Sequence, residues 1–438
     1  MAEPNKTPTF NMKVVVQETG IKPDTLRAWE RRYGVPDPKR TSGGHRVYSQ
    51  YEIDMLKWLL ARQEEGMSIS HAVELWKQME AEGKNPLQSM PPLEPAPVLA
   101  VSGDVVDELR QAWLEACLDF DEYRAQHILA QAFAVYSIET VCFEILQAGL
   151  QKVGQGWYEG SVTVQQEHFT SALALRQVEA ILAATPPPTR EERVIVACPP
   201  QELHTFGPLL LALLLRRRGW DVVYLGANVP LERLETAVRS IGPNLAILAA
   251  QSLNTAATLL QMADLLHWLN VPLAFGGSVF DRIEAARQRI PGYFLGTELQ
   301  AAPQAVEQLV EFTPPLPDLG PISEAYQQAL DHFREQRAAI EADVHESAHV
   351  ENLTAVELGN ANDGLGDNIE AALTLGDMNF INANIEWLRG LLVNYHDRMP
   401  AETIKTYLEA YYEAAQEHLD ERGQPILDWF EAVLGSSF

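Results

Sequence analysis

Glu202 and His204 stand two residues apart, just after an apolar, β-branched run (Val194-Ile195-Val196-Ala197-Cys198) that Pro199 and Pro200 bring to an end. An imidazole in such a loop can coordinate a metal through one ring nitrogen while a nearby carboxylate holds the other and fixes the tautomer. Gly207 follows, opening a helix expected over 208–218 and letting a bulky ligand approach the backbone. A second group lies earlier, in Val153-Gly154-Gln155-Gly156-Trp157 and on to Glu167-His168. There Thr163 is a plausible N-cap, which puts Glu167 and His168 near the start of a helix, and the glycines predict a loop that presents Trp157. A third group is cationic. Arg27, Arg31 and Arg32 share one short segment, and Lys39-Arg40 and His45-Arg46-Val47-Tyr48 flank a glycine pair. These are groups that pair with phosphates.

The elements that must position these residues follow from periodicity. Between 194 and 312 apolar strands alternate with helices. Strands are expected at 194–198, 222–225, 245–250, 273–275 and 293–295, which predicts a five-stranded parallel, flavodoxin-like sheet. Ligands of such sheets bind beyond the carboxyl ends of the strands, where His204 falls. Residues 103–184 read as a four-helix bundle with breaks near Asp119, Ser137 and 149–160. At the N-terminus, Asn11 is expected to cap a helix through Glu18. A Gly20 turn leads into a second helix opened by Pro23 and stopped by Gly34, a helix-turn-helix. The basic segment 39–48 then reads as a wing, followed by helices at 51–65 and 69–82. Helices at 323–350, 351–375, 378–395, 402–421 and 425–434 fill the C-terminal tail. The expected division is 10–84, a linker 85–101 carrying five prolines between 85 and 97, 102–188, 189–312, a linker 313–322, and 323–438.

Composition narrows the function classes. The chain has 438 residues and a net charge of −27. Residues 1–85 hold 13 Lys+Arg and 12 Asp+Glu, so the acidic excess lies entirely beyond them and any DNA contact belongs to the N-terminal part. Near-neutral charge in that part limits the affinity of one copy and favours two or more copies on a repeated site. No apolar run reaches membrane-spanning length and no signal-peptide pattern opens the chain, so a cytoplasmic protein without a membrane partner is expected. Cys117, Cys142 and Cys198 have no metal-knuckle spacing and read as buried apolar residues.

Residues 10–84 resemble the MerR-type winged helix-turn-helix, carried by Thr25-Leu26-Arg27-Ala28-Trp29-Glu30-Arg31-Arg32-Tyr33-Gly34 and by the Gly-His-Arg-Val-Tyr wing. The resemblance implies a double-stranded DNA operator, with Thr25, Arg27, Arg31 and Arg32 as helix contacts and Arg40, His45, Arg46 and Tyr48 as wing contacts. Trp29 and Leu26 read as core, and Glu30 as an intradomain ion pair. The spacing Glu202-x-His204-x-x-Gly207 resembles the cobalamin-binding motif, which implies that His204 is the lower ligand to cobalt. Leu225 and Gly226 resemble that fold's second strand and turn, and Gly276-Gly277 its later glycine pair beside the buried nucleotide tail. The family's Ser-x-Leu falls by spacing on Ala249-Ala250-Gln251, which leaves Ser252 to make the serine's bond. The loops at Gln251, Ser252 and Asn254 and at Gly276-Gly277-Ser278 are small and polar, suited to a threaded tail.

The order of these modules, with Trp157, Glu167 and His168 between them, is similar to that of CarH-type adenosylcobalamin photoreceptor regulators. This implies a light-responsive transcriptional regulator, a repressor, without enzyme activity, in which Trp157 and Glu167 contact the adenosyl group and His168 lies nearby. The resemblance further implies a homo-oligomer, dimer or tetramer, that binds DNA in the dark and changes assembly after light. Tyr158 stands where that family has a histidine. A light-independent cobalamin sensor and a corrinoid methyl carrier remain open alternatives. The tail carries His345-Glu346-Ser347-Ala348-His349, which formally matches a zinc-protease helix but has no downstream third ligand. Its aromatics Trp387, Tyr395, Tyr407, Tyr411, Tyr412, Trp429 and Phe430 admit two readings, a packing or oligomerisation bundle and a module for a bilin such as biliverdin.

Overall fold

The computed structural model describes residues 8–40, 44, 46–64, 69–81, 103–316, 319–347, 350, 353–389 and 401–435. The chain divides into two compact units, 1–101 and 102–438. The expected linker 85–101 lies outside the described residues, as do His45, His349 and Tyr395.

The first unit runs β1 (Phe10–Asn11), α1 (Met12–Thr19), α2 (Pro23–Tyr33), β2 (Lys39–Arg40), β3 (Arg46–Tyr48), α3 (Gln50–Glu64) and α4 (Ile69–Ala81). Asn11 caps α1, its side-chain oxygen accepting from the N–H groups of Lys13 and Val14. Gly34, at φ 72°, ends α2 in the left-handed conformation that glycine adopts without strain. The strands pair antiparallel in the order β1-β3-β2, so the wing is a hairpin whose inner strand is β3. Leu26 and Trp29 turn inward from α2 and join Tyr48, Leu56, Trp58 and Trp76 in one core.

The second unit opens with a bundle of α5 (Gly103–Leu118), α6 (Glu122–Val135), a long third helix and α9 (Val164–Ala183). The third helix is continuous: α7 (Ile138–Thr140) passes through a π segment at Val141–Gln147 into α8 (Ala148–Tyr158). The break expected within 149–160 therefore falls only at its end, after Tyr158, and the loop expected before Trp157 is not formed. Gly154 and Gly156 are helical and Trp157 stands in the last turn of α8, not in a loop. Gly149 and Gly156 serve packing instead, whereas a Cβ on Gly154 would meet no atom within 4 Å. A Cβ on Gly149 would lie 2.6 Å from the Trp113 ring, and one on Gly156 would lie 2.6 Å from Val162 Cγ2. The turn comes at Gly160 (φ 73°), and Thr163 then caps α9 in a capping box with Gln166.

Five parallel strands follow, β4 (Arg193–Ala197), β5 (Asp221–Gly226), β6 (Leu245–Ala249), β7 (Leu273–Gly276) and β8 (Tyr293–Phe294), in the order β5-β4-β6-β7-β8. This is the flavodoxin-like order expected from sequence, with its switch point between β4 and β6. Helices α10 (Phe206–Arg217), α11 (Leu234–Ile241), α12 (Leu253–Trp268), α13 (Val279–Arg282) and α14 (Ala302–Glu311) connect and cover the strands. Pro208 through Leu215 are all buried in α10. Leu209, Leu210, Leu213 and Leu214 enter the bundle core, while Leu211, Ala212 and Leu215 face the sheet. A helix apolar on every side is one with neighbours on every side.

The tail is helical as expected: α15 (Glu324–Glu346), α16 (Ala355–Leu375), α17 (Phe380–Arg389), α18 (Ala401–His418) and α19 (Gln424–Gly435). The helix expected over 323–350 stops at Glu346, with Ser347 extended at ψ 132°. Thr354 then caps α16 in a capping box with Glu357. Tyr407, Tyr411, Trp429 and Phe430 are buried and pack against one another, the rings of Tyr411 and Phe430 stacked at 5.8 Å. The tail does not hang from its linker. Its apolar residues form one continuous core with α12 and the sheet face beneath it.

Candidate functional site

Pro199 and Pro200 end β4, and the chain turns through Gln201 at φ 68°. Glu202 then points inward, 1% exposed, and His204 points outward, 78% exposed. The two oxygens of Glu202 divide their work. Oε1 accepts from the His204 backbone N–H at 2.9 Å and meets His204 Nδ1 at 2.7 Å. Oε2 accepts from the Gln251 N–H at 2.6 Å and from Thr255 Oγ1 at 2.8 Å. Burial pushes the Glu202 carboxyl up, and the bonds from His204, Thr255 and Gln251 outweigh it and hold the group below its ordinary value. The Glu202 bond in turn raises His204 against desolvation. With Nδ1–H donated to Glu202, the neutral ring presents Nε2 as a lone-pair donor, the arrangement of a metal-ligating histidine.

The loop is tied on both flanks. Asn228 donates its N–H to the Glu202 carbonyl at 3.0 Å and accepts the Gln201 N–H at 2.8 Å. Thr258 donates to the Pro200 carbonyl at 2.8 Å. Sequence reasoning missed Thr255 and assigned Gln251 only to a polar loop. The residue types alone gave no sign that a helix start after β6 would reach back to Glu202.

The surroundings fit a large ligand with a threaded tail. A Cβ added to Gly207, Gly226 or Gly276 would meet no atom within 4 Å, so these glycines border open space. Gly226 sits at φ 79° at the end of β5, beside half-buried Leu225. Gly277 differs: at φ 116°, its Cβ would lie 1.9 Å from the Ala250 carbonyl oxygen, so the glycine permits close approach of two loops. Ser252, proposed from sequence as a tail contact, is occupied as the N-cap of α12, accepting from the Thr255 N–H at 3.2 Å. Asn254 Oδ1 is buried without a hydrogen-bond partner, a polar atom that a bound group would satisfy. Leu203 is 69% exposed beside His204, an apolar side chain at the mouth.

From the bundle, Trp157 is half-buried against the core. Glu167, in the first turn of α9, accepts from Ser171 Oγ at 2.7 Å and meets His168 Nδ1 at 2.7 Å. Its carboxylate also favours the charged form of His204, which places this turn within electrostatic reach of the imidazole. His168 is 75% exposed.

In the N-terminal unit, Arg27, Arg31, Arg32 and Arg40 are exposed and Thr25 is half-buried. Arg27 pairs with Asp24 at 2.9 Å, a surface pair easily exchanged for a phosphate. Two wing assignments change. Arg46 makes a two-bond pair with Glu30, at 2.8 and 3.3 Å, and so fastens the wing strand to α2. Tyr48 is 1% exposed, with its hydroxyl turned to Met12 Sδ, and is a core residue. The zinc-helix pattern at 345–349 lies partly outside the described residues; within them, α15 ends at Glu346 and Ser347 is extended. Among the described residues no cluster of three or more His, Cys, Asp or Glu side chains is placed to hold a metal.

A parallel sheet with an outward, carboxylate-held histidine at its switch point, joined to a helical bundle and accompanied by a winged helix-turn-helix, defines a cobalamin-binding transcriptional regulator. Comparison with known families agrees. Residues 10–79 match the MerR HTH family regulatory protein profile, and residues 109–182 and 192–305 match two B12 binding domain profiles. The chain is 32% identical over 242 residues to the HTH-type transcriptional repressor CarH of Myxococcus xanthus, covering 54% of this chain and 77% of that protein. It is 31% identical over 244 residues to CarA of the same organism, covering 55% and 76%. Among solved structures, the monomethylamine corrinoid protein of Methanosarcina barkeri is similar over 47% of this chain and 99% of that one, with 21% identity and a TM-score of 0.38. The chain belongs to the CarH/CarA family of MerR-type, cobalamin-binding transcriptional regulators.

Proposed function

We propose that this chain is a light-responsive transcriptional repressor whose cofactor is adenosylcobalamin. The observation that carries the reading is the split carboxylate of Glu202, which presents His204 Nε2 outward with Glu167 of the bundle in electrostatic reach. When bound, the cofactor supplies a cobalt–carbon bond weak enough for visible light to break. The chain's residues do the rest. His204 holds the lower face, and Gly207, Gly226 and Gly276 leave room for the tail. Trp157 and Glu167 would contact the adenosyl group, and the bundle would be held in place while that contact lasts. Loss of the contact biases the bundle toward a second arrangement, and the assembly of subunits changes with it.

On DNA, Thr25, Arg27, Arg31 and Arg32 of α2 enter the major groove, and Arg40 lies along the backbone with the wing. Two or more copies, a dimer or tetramer, act together, because a near-neutral reading unit binds weakly alone. A bilin in the tail would require the ring cluster around Tyr411 and Phe430 to open, and packing is the role that cluster already fills.

The test is the absorption spectrum and elution volume of protein loaded with adenosylcobalamin, before and after green light. A spectral change with a change in assembly is expected. A spectral change with constant assembly and constant DNA affinity would replace the photoreceptor by a light-independent cobalamin sensor. His204→Ala should lose tight retention of the cofactor, and unchanged affinity would remove His204 as the ligand.

A further inference from the structure

The tail beyond residue 305 lies outside all three matched profiles, yet it packs on the helix that supports the His204 loop. Helix α12 has two attachments. At its start, the Gln251 N–H and Thr255 Oγ1 both bond Glu202 Oε2, whose partner oxygen holds His204. Along its length it lies between β6 and β7 on one side and α16 and α17 on the other. Leu253, Leu259, Met262, Ala263 and Leu266 are all buried to 2% exposure or less. The contact continues past α12, since Arg289, on the segment after α13, donates to the Gly376 carbonyl at the end of α16. A closely packed helix moves as a unit, so a shift imposed by the tail reaches Thr255 without an intermediate loop.

We propose that the C-terminal helices are a positioning module for the cobalt ligand, setting through α12 how firmly Glu202 holds His204. The inference rests on the lower-ligand reading above. It makes the tail a second input. Whatever stabilises or loosens α15–α19 changes cobalamin affinity, and by reciprocity bound cobalamin steadies those helices.

The test uses the full chain loaded with cob(II)alamin and read by electron paramagnetic resonance. Nitrogen splitting from the axial ligand, altered when the protein's histidines carry 15N, marks the imidazole bond. Ile369→Ala removes buried volume from α16, and Thr255→Val removes the direct bond to Glu202. Each is expected to weaken cobalamin retention, Thr255→Val by about tenfold. The double variant should be little weaker than Thr255→Val alone, because both act through one link, whereas independent structural damage would add. In the unaltered chain, hydrogen exchange across α16 should slow when cobalamin binds, a readout that survives if Ile369→Ala fails to fold. Histidine splitting in the unaltered chain, with additive variants and exchange in α16 indifferent to cobalamin, overturns the coupling and leaves the ligand in place. Absence of histidine splitting in the unaltered chain overturns the ligand reading and the coupling with it.

Discussion

Glu202 fixes the imidazole of His204 through Nδ1 and leaves the rest of the ring exposed, the disposition the proposed ligand role requires. Replacing it by glutamine keeps the size but removes the charge that holds Nδ1–H, and second-shell losses of this kind weaken metal binding about 10–100-fold. Equilibrium dialysis of Glu202→Gln against cobalamin checks this, and unchanged affinity would detach the carboxylate from the site. The cofactor-free pair also has a pH window. His204 is raised, so its contribution is full below its unfolded value near 6.5 and is lost as pH rises through the higher folded value. Glu202 is lowered, so its contribution is present above about 4.5 and is lost as pH falls through the lower folded value. The melting-temperature difference between the unaltered apo-protein and His204→Ala should therefore be largest between those limits and shrink on the alkaline side. On the DNA-reading face, Arg31→Ala should lower the slope of log affinity against log salt on mixed-sequence duplex DNA by about 0.9, one phosphate's share. Arg46→Ala should weaken binding with little change in that slope, because its charge is spent on Glu30.

At the scale of elements, the sequence was most readable where local chemistry decides. Asn11, Pro23, Gly34 and Thr163 mark helix ends that the structure reproduces, and the alternation between 194 and 312 yields the parallel sheet and its order. It misled where packing decides. Glycines before Trp157 read as a loop because glycine usually breaks helices, but Gly149 and Gly156 are there to admit Trp113 and Val162. Tyr48 read as a surface contact because it ends a basic wing, although the antiparallel pairing of β3 turns its ring into the core. Thr255 was invisible because its partner stands 53 residues away. Gly156→Ala should destabilise the second unit by about 1–3 kcal/mol in urea titration, the usual cost of overpacking. Gly277→Ala, which meets backbone and a left-handed φ together, should cost more and lose cobalamin retention as well.

For the whole molecule, charge and packing divide the labour. The near-neutral reading unit and the acidic remainder are suited to DNA binding that depends on assembly, and dilution below the assembly threshold should abolish operator binding at constant cofactor occupancy. The second unit is less modular than its linkers suggest. Sequence places a boundary at residues 313–322, where Thr313-Pro314-Pro315-Leu316-Pro317 invites a cut. The shared core says otherwise: a chain shortened to 312 would turn the outer face of α12 to water, an apolar surface prone to self-association. Hybrid regulators that exchange tails between relatives would need to carry α12 along with the tail, and shuffling at the proline-rich seam alone would yield insoluble protein.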